Sequence, residues 1–312
     1  MTIRRIQPVT FGFAGDVHFE GVLRGKLDTN PASVLAAAAP LLRRADIAVV
    51  NLETAITTRG TPQPKLFTFR APPSALTALA AGGVDIASMA NNHGLDYGRI
   101  GLADSLLAIR SSGYPVVGIG RNAREAYAPH RLTVRGSRVA VIGATQVLDD
   151  HLIRSWTATV GQPGLASAKD IARLEVAVRA ARRTSDTVVV FLHWGVERMV
   201  CPSERQTILA RRLVAAGADI VVGSHAHRLQ GAGRLNGAFV AYGLGNFAFY
   251  SPPGPSAETG VLFVTATGRR IDGYRFAPAY IRDGSPIPLS GADADAAIGR
   301  WQLRRSCTGL AP

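Results

Sequence analysis

The stretch VTFGFAGDVH, residues 9–18, reads as a buried strand that ends in a carboxylate and an imidazole two positions apart. Its first seven residues are apolar or small except for Thr10, which is typical of a strand covered on both faces of a parallel sheet. Residues two apart on an extended chain point to the same side, so Asp16 and His18 can face one point. Whether they bind a metal or only begin a polar turn depends on the rest of the chain.

The alternation of strand and helix patterns continues after this strand. Val- and Ile-rich runs such as DIAVVNLE, VDIASMANN and YPVVGIG alternate with Ala/Leu/Arg segments such as ASVLAAAAPLLRRA, PSALTALAAGG and RIGLADSLLAIRSSG. This order predicts strand-helix-strand crossovers and a largely parallel, buried sheet. HRLTVRG and RVAVIGATQ predict a hairpin, after which the alternation resumes through DTVVVFLHWG and ADIVVGSHAH.

The last part of the chain changes its pattern. GAFVAYGLGNFAF, GVLFVTATG and RIDGYRFAPAYI predict three strands with turns between them and no helix, which favours an antiparallel addition to the sheets. The chain therefore reads as one α/β domain of two packed sheets over residues 1–284. Residues 285–312 are expected to form a C-terminal extension with one weak helix and no recognisable chemistry.

Composition favours a large core and an acidic partner. The 312 residues are 47% hydrophobic, and the formal net charge is +13, with only three lysines among 35 basic residues. Such a surplus favours a phosphate ester, a polycarboxylate, a nucleic acid or an anionic membrane. The arginines are scattered and are not interleaved with aromatic residues, which argues against a dedicated nucleic-acid binder. A small anionic or amino-acid-derived substrate is the expected partner, and the sequence leaves the oligomeric state open.

Cysteine content and apolar runs bear on the compartment. Cys201 and Cys307 are far apart and lack a CxxC spacing, so we expect neither a thiolate zinc cluster nor a disulfide scaffold. The start of the chain, MTIRRIQPVTFGFAG, lacks the apolar core of a signal peptide, and no later run is long enough to span a bilayer. A cytoplasmic location is the resulting expectation.

Histidines cluster at the ends of the predicted strands. Five of the seven histidines follow strands, and the carboxyl ends of strands in an open α/β sheet meet at one edge, where ligands bind. A single histidine is more often a hydrogen-bonded core or surface residue than a ligand. A set of seven nitrogen and oxygen donors after strands is harder to explain in that way. The set is Asp16, His18, Glu53, Asn92, His193, His225 and His227.

These donors predict a binuclear metal site. Mixed imidazole and carboxylate donors without a thiolate suit zinc, manganese or iron, and their number is enough for two divalent ions, with Glu53 as the candidate bridge. Two ions about 3.5 to 4 Å apart clamp a phosphoryl oxygen and lower the pKa of a bridging water, which then attacks as hydroxide. His93 follows Asn92 but projects the other way, so it is the candidate general acid.

The ordered motifs resemble a known family. DVH, NLE, NNH, HWG and GSHAH resemble the calcineurin-like metallophosphoesterase superfamily. NLETAIT, FRAPPSAL, ANNHGLDYG, FLHWGVE, GSHAHRLQG and YGLGNFAF are similar to the CapA family of bacterial capsule or poly-gamma-glutamate synthesis proteins, over roughly residues 10–250. The resemblance implies a metallophosphoesterase-like sandwich of two mixed β-sheets flanked by helices. It also implies one ion on Asp16, His18 and His227, a second on Asn92, His193 and His225, a bridge at Glu53, and a general acid at His93.

Three positions depart from the patterns of these relatives. Glu53 stands where the superfamily usually has an aspartate, and Gly94 stands where it usually has an acidic residue. The second departure leaves His93 without an obvious orienting acid. Many CapA-like proteins lack a histidine at the position of His18, so this residue makes the site look closer to the catalytic superfamily.

Four further residues are candidates for substrate binding: Arg70, Glu197, Arg198 and Asn246. Arg70 fits an anion clamp and a structural ion pair equally well, and Glu197 fits a role in orienting a ligand. The long irregular segment from Gln146 to Gly164 is expected to cover the site and help select the substrate.

Three functions remain open from the sequence. The first is a metal-dependent hydrolase that cleaves a phosphoester in a capsule-type or related biosynthetic context. The second is a metal-dependent enzyme acting on an amide or ester of an amino-acid-derived or polyglutamate substrate, because the same activated water attacks an acyl carbon. The third is a non-catalytic, metal-stabilised component of a polymer-synthesis complex.

Overall fold

The computed structural model describes residues 5–312, and residues 1–4, where the stretch interpreted as lacking a signal peptide begins, lie outside the described residues. In chain order the strands are β1 Val9–Val17, β2 Ile47–Leu52, β3 Ala55–Ile56, β4 Arg70–Ala71, β5 Ile86–Ser88, β6 Val116–Val117, β7 Ile119–Gly120, β8 His130–Val134, β9 Ser137–Thr145, β10 Gly164–Leu165, β11 Thr187–Trp194, β12 Ile220–His225, β13 Ala232–Leu235, β14 Ala238–Ala241, β15 Asn246–Ala248, β16 Glu258–Thr267, β17 Arg270–Arg282 and β18 Ser285–Pro288. The α-helices are α1 Val22–Thr29, α2 Ala39–Leu42, α3 Ser74–Ala81, α4 Gly98–Ser112, α5 Ala123–Ala126, α6 Ile153–Trp156, α7 Ile171–Arg182, α8 Glu204–Ala216 and α9 Gly291–Leu303. Two 3₁₀ turns cover Pro31–Ser33 and Arg304–Cys307.

Two large sheets carry the fold, and both are mixed. The eight-stranded sheet has the order β18-β17-β16-β1-β2-β5-β6, with β15 also paired to β1. Its β1, β2, β5 and β6 run parallel, whereas β16, β17 and β18 are antiparallel. The six-stranded sheet has the order β13-β14-β12-β11-β9-β8, with a parallel centre and antiparallel edges.

The two sheets pack face to face, and helices cover their outer faces. Alternate residues of β1, such as Phe11 and Phe13, pack in one core cluster with Val189 and Phe191 of β11 from the other sheet. The intervening residues of β11 face outward and pack with side chains of α7 and α8, such as Leu174. The predicted sandwich of two mixed sheets flanked by helices is confirmed.

Two predicted elements differ from the structure. The segment of residues 32–45, expected to be one helix, contains a 3₁₀ turn, several turns and only the short α2, because Pro40 has no N–H to donate and interrupts the ladder. GAFVAYGLGNFAF was expected to be a single strand, but it divides into β14 in the smaller sheet and β15 in the larger one. The crossing sets Gly245 against β1, where a Cβ on Gly15 would lie 1.8 Å from the Gly245 carbonyl oxygen.

The C-terminal segment packs on the same sheets. Strand β18 pairs with β17, and Trp301 of α9 stacks on Phe276, with ring centroids 4.8 Å apart. A disulfide joins Cys201 and Cys307 across 106 residues of sequence. The cysteine count did not indicate this bond, since the two residues meet only once the C-terminal segment has folded back on the domain. The boundary at residue 284 remains a prediction.

Within residues 5–312, no helix combines the length and the apolar character needed to cross a membrane.

Candidate metal centre

The carboxyl ends of β1, β2, β11 and β12 meet at one edge of the sandwich. Asp16 and Asn51 are partners in the register of β1 and β2, and the Asn51 amide donates to Asp16 Oδ1 at 2.8 Å. The same amide nitrogen lies 3.1 Å from His193 Nδ1 on β11. The backbone N–H of His225 donates to Asp16 Oδ2 at 3.2 Å. Asp16 therefore joins the two sheets at their common edge.

Six of the seven predicted donors converge here. Asp16, Glu53 and His193 form one group whose ligand atoms lie within 4.8 Å of one another, and Glu53, His225 and His227 form a second such group. Asn92 Oδ1 lies 2.7 Å from His193 Nε2, so the Asn92 amide lies beside the group that contains His193. Glu53 belongs to both groups, as a bridging ligand would. Asp16 also lies beside His227, with Oδ2 3.4 Å from His227 Nδ1, and the division of the donors between two ions remains a prediction.

Glu53 provides the test of whether this site fits a cation. Both of its carboxylate oxygens are buried and, among the described residues, neither has a hydrogen-bond partner; His225 Nδ1 is in the same state. Burial raises the pKa of Glu53 well above its usual value, and the nearby Asp16 carboxylate raises it further. A buried, unpaired carboxylate is costly unless a positive charge accompanies it. The donor set therefore fits divalent cations.

The pKa values of Asp16 and of the three histidines of the cluster are shifted in different directions. Burial lowers the pKa of His193 well below its usual value and that of His225 to about 3, so both are neutral imidazoles able to ligate. Burial alone would lower the pKa of His227, but Asp16 and Glu53 raise it to about 9. Burial would raise the pKa of Asp16, yet its hydrogen bonds and the charge of His227 lower it. Without metal, His227 supplies the positive charge of the site.

The backbone of GSHAH is strained where it delivers its histidines. His225 has a φ of 99° and His227 a φ of 49°, in the left-handed region that favours glycine. Such conformations cost free energy and persist where the surrounding structure holds them, often at functional sites. In these conformations the ligand atoms of both histidines lie within 4.8 Å of Glu53.

His93 lies beside the donor cluster and is held by a carboxylate. Its Nδ1 lies 2.6 Å from Asp96 Oδ2, and its Nε2 lies 3.8 Å from Glu53 Oε1. The expectation that His93 lacks an orienting acid is wrong, because the turn after the histidine brings Asp96 back to the ring. Gly94 has a separate role, since a Cβ there would lie 2.7 Å from the Met89 carbonyl oxygen. Burial lowers the pKa of His93, and Asp96 offsets only part of this effect.

His18 lies apart from the cluster, in an aromatic wall. Its Nδ1 accepts the Glu20 backbone N–H at 2.9 Å, and its Nε2 faces the Tyr250 N–H at 3.2 Å. Its ring stacks on Phe69 and meets the edges of Phe249 and Tyr250, with centroids 3.9 to 4.8 Å away. Burial lowers the pKa of His18 well below its usual value. Ligation by His18 remains a prediction, and its ring would have to leave these contacts to provide it.

The four expected substrate groups lie in different surroundings. Asn246 is buried, and its Oδ1 lies 2.7 Å from His227 Nδ1, so it orients a donor. Glu197 and Arg198 are exposed on the loop after β11, and the Arg198 N–H donates to the Ala226 carbonyl at 2.7 Å. The Arg70 guanidinium lies over a tyrosine ring, 4.8 Å from its centroid. Their roles in substrate binding remain predictions.

Sequence reasoning missed four polar residues around the cluster: Asn51, Lys65, Asn91 and Asp96. The sequence pattern could have indicated Asn51, because this residue lies near the end of β2 and is the register partner of Asp16 near the end of β1. Asn91 donates to Asn51 Oδ1 at 3.1 Å and accepts the N–H of His93 at 2.9 Å, so it braces the loop from within. No strand or helix pattern in the sequence indicates Lys65 and Asp96, since both lie outside regular elements and only turns of the chain bring them near His93.

The segment of residues 146–164 is more ordered than expected. It contains α6, and its Leu148, Leu152 and Trp156 are buried in the core around the larger sheet. Asp149 Oδ2 of this segment lies 3.5 Å from Lys65 Nζ, so the segment does reach the surroundings of His93. Its role in substrate selection remains a prediction.

The fold is metallophosphoesterase-like, and solved structures share it. A hypothetical protein from Thermus thermophilus superposes with a TM-score of 0.57 at 17% identity, covering 88% of this chain and 100% of that one. A novel phosphatase from Mycoplasma pneumoniae superposes with a TM-score of 0.55 at 12% identity, covering 88% of this chain and 95% of that one. At these identities the likeness concerns the fold.

The family itself follows from sequence comparison. The profile of the family described as bacterial capsule synthesis protein PGA_cap matches residues 10–251, and the chain belongs to this family. It is 33% identical over 218 residues to the capsule biosynthesis protein CapA of Bacillus anthracis, which is 69% of this chain and 52% of the relative. It is 31% identical over 209 residues to the PGA biosynthesis protein CapA of Bacillus subtilis strain 168, which is 65% of this chain and 53% of the relative. The chain thus spans about half the length of these curated relatives. The family inferred from the motifs is confirmed.

Proposed function

We propose that this chain is a metal-dependent hydrolase that holds two divalent ions and cleaves a phosphoester of a small anionic substrate. The observation that carries the proposal is Glu53, a fully buried carboxylate without a hydrogen-bond partner among the described residues, shared by two donor groups. A structural site needs fewer ligands and no neighbouring acid such as His93.

The residues divide the work of hydrolysis between them. Asp16, Asn92, His193, His225 and His227 would hold the two ions, and Glu53 is shared by both donor groups. Manganese, zinc or iron bound by these residues would supply Lewis-acid activation of water and would neutralise charge on the phosphoryl group. His93, held at Nδ1 by Asp96, directs Nε2 toward the cluster, and with both ring nitrogens protonated it donates the Nε2 proton to the leaving oxygen and keeps the proton on Nδ1. The net charge of +13 favours approach of an anion.

Metal content and hydrolysis of bis(p-nitrophenyl) phosphate test this proposal. We expect two ions per chain and turnover that is lost on chelation. His193→Ala should lose bound metal and should lose turnover, because His193 belongs to one donor group and contacts Asn92. The matched control is His130→Ala, a half-buried histidine at the start of β8. A metal-free protein, or one whose His193→Ala variant hydrolyses the ester like the wild type, would refute the proposal.

A second candidate is hydrolysis or transfer at an amide or ester of a polyglutamate-like substrate. It is favoured by the relatives, whose names place them in capsule and PGA biosynthesis. The donor cluster suits attack on an acyl carbon as well as on phosphorus. Gamma-glutamyl peptides assayed beside aryl phosphates separate the two, since turnover of peptides alone would favour the second candidate.

We also propose that the chain works in an oxidising compartment. Disulfides persist in such compartments and are rare in the cytosol, so the Cys201–Cys307 bond opposes the cytoplasmic location expected from the sequence. Alkylation of thiols in protein taken directly from cells tests this. No alkylated cysteine before reduction and two after it are the expected result.

A further inference from the structure

Lys65 is a buried charge beside the candidate general acid. It is one of only three lysines in the chain, and its side chain is 5% exposed. Its ammonium lies 2.7 Å from Asp96 Oδ1 and 3.5 Å from Asp149 Oδ2, and it donates to the backbone carbonyl of Asn92. A buried lysine next to a catalytic candidate is usually suspected of binding substrate.

The contacts of Lys65 indicate a different role. An ammonium group has three N–H donors and no acceptor. Lys65 Nζ donates hydrogen bonds to Asp96 Oδ1 and to the Asn92 carbonyl, and Asp149 Oδ2 lies 3.5 Å away as an ion pair without a hydrogen bond. The indole of Trp156 lies beneath it, with its ring centroid 5.1 Å away. The ammonium is held against Asp96 and the Asn92 carbonyl, so Lys65 acts on His93 through these partners.

Asp96 is the partner that leads to His93. Its carboxylate is fully buried, and Oδ2 accepts the Phe69 N–H at 2.7 Å besides facing His93 Nδ1 at 2.6 Å. Lys65 is bonded to the other oxygen, Oδ1. A carboxylate in such a place is stable only with a paired charge, and a planar group held at both oxygens cannot rotate. Lys65 thus fixes the Asp96 carboxylate, and the Asp96 carboxylate fixes the orientation of the His93 ring.

We propose that Lys65 is a positioning residue for His93 and acts through Asp96. The kinetic consequence rests on the proposed hydrolase function, whereas the structural consequence, a single fixed orientation of the His93 ring, does not. Lys65 also links the segments that carry Asn92 and Asp149.

The kinetic test compares two lysines of the same chain. Lys65→Met should lower kcat for bis(p-nitrophenyl) phosphate by about 10- to 100-fold, the usual effect of removing a group that orients a reacting residue, with KM and metal content unchanged. The control, Lys169→Met, alters an exposed lysine and should change none of these. Asp96→Asn should show the same loss, and adding Lys65→Met to it should cause no further loss. Independent, multiplying losses would overturn the proposal.

Folding and function are separated by a second readout. The double variant Lys65→Met with Asp96→Asn removes both buried charges, so it remains usable if Lys65→Met alone does not fold. Nitrogen-15 NMR of histidine-labelled protein should show His93 in wild type as one tautomer, protonated at Nδ1, and a mixture of tautomers in Lys65→Met or in the double variant. A protein that hydrolyses no ester but shows this change refutes the hydrolase proposal and supports the role of Lys65. An unchanged His93 spectrum in both variants refutes the role of Lys65, whatever the activity.

Discussion

The substitution Glu53→Gln is expected to affect stability in opposite directions with and without metal. Glu53 is fully buried, and within residues 5–312 neither of its oxygens has a hydrogen-bond partner. Leaving such a group unpaired costs about 1–3 kcal/mol, and more when it is charged. In chelator at pH 8, the neutral amide should therefore raise the free energy of unfolding by about 1–3 kcal/mol relative to wild type.

Added metal should reverse the order of the two proteins. A ligand that binds only the folded state stabilises it by about 2.7 kcal/mol at a concentration of 100 times Kd, and by about 4.1 kcal/mol at 1,000 times Kd. Wild type should gain a shift of this size in excess Mn²⁺ or Zn²⁺. The Glu53→Gln variant loses the negative charge shared by both donor groups, so most of this gain should disappear.

The pH dependence gives a further check on the cause. The folded pKa of Glu53 lies well above its usual value of 4.5, so the metal-free wild type loses stability as the pH rises above 4.5. Below that pH the carboxyl is protonated in both states and contributes nothing. The advantage of the variant in chelator should therefore vanish at pH 4 and grow toward neutral pH.

Urea unfolding followed by fluorescence measures these effects, with and without metal. Glu204→Gln, an exposed carboxylate at the start of α8, is the matched control and should respond to metal like wild type. If Glu53→Gln destabilises the protein in chelator and leaves the metal-induced shift intact, the carboxylate is not an unpaired group that faces a cation.

Four other predictions concern the surroundings of the site and the fold. Asn246→Ala should weaken metal binding by about 10- to 100-fold in calorimetry, because Asn246 orients His227, and an unchanged Kd would contradict this role. Metal affinity should rise with pH up to about 9, the pKa of His227, since a ligating imidazole must lose its proton; a flat profile from pH 7 to 9 would count against ligation by His227. His18→Phe should lose one ion by mass spectrometry of metals if His18 ligates as the sequence predicts, and retention of both ions would show that His18 only packs in its aromatic wall. Cys307→Ser should lower the free energy of unfolding by up to about 4.7 kcal/mol, the value for a loop of about 100 residues, and reduction of wild type should match it; equal urea midpoints before and after reduction would refute this.

Local pattern was enough to predict the fold and most of the donor cluster. Buried parallel strands are continuous apolar runs, and their polar end residues must meet at one edge, which places Asp16, Glu53, His193 and His225 together before any coordinates are known. The hydrophobic pattern did not predict the elements correctly where the chain bends. Pro40 interrupts an expected helix, and the glycines of YGLGNF move the chain from one sheet to the other.

Only the tertiary structure decided which residues each side chain of the candidate site contacts. His18 obeys the same two-residue spacing as the other donors, but three aromatic rings from distant segments enclose it. Asp96 and Lys65 reach His93 through turns, whose direction depends on packing and not on a repeating pattern. The disulfide joins residues 106 positions apart, a separation that no local signal can encode. The amino-acid sequence by itself thus determined which donors reach the edge of the sandwich, because strand periodicity is local. Only the folded chain decided which of them face one another, because that depends on contacts between distant segments.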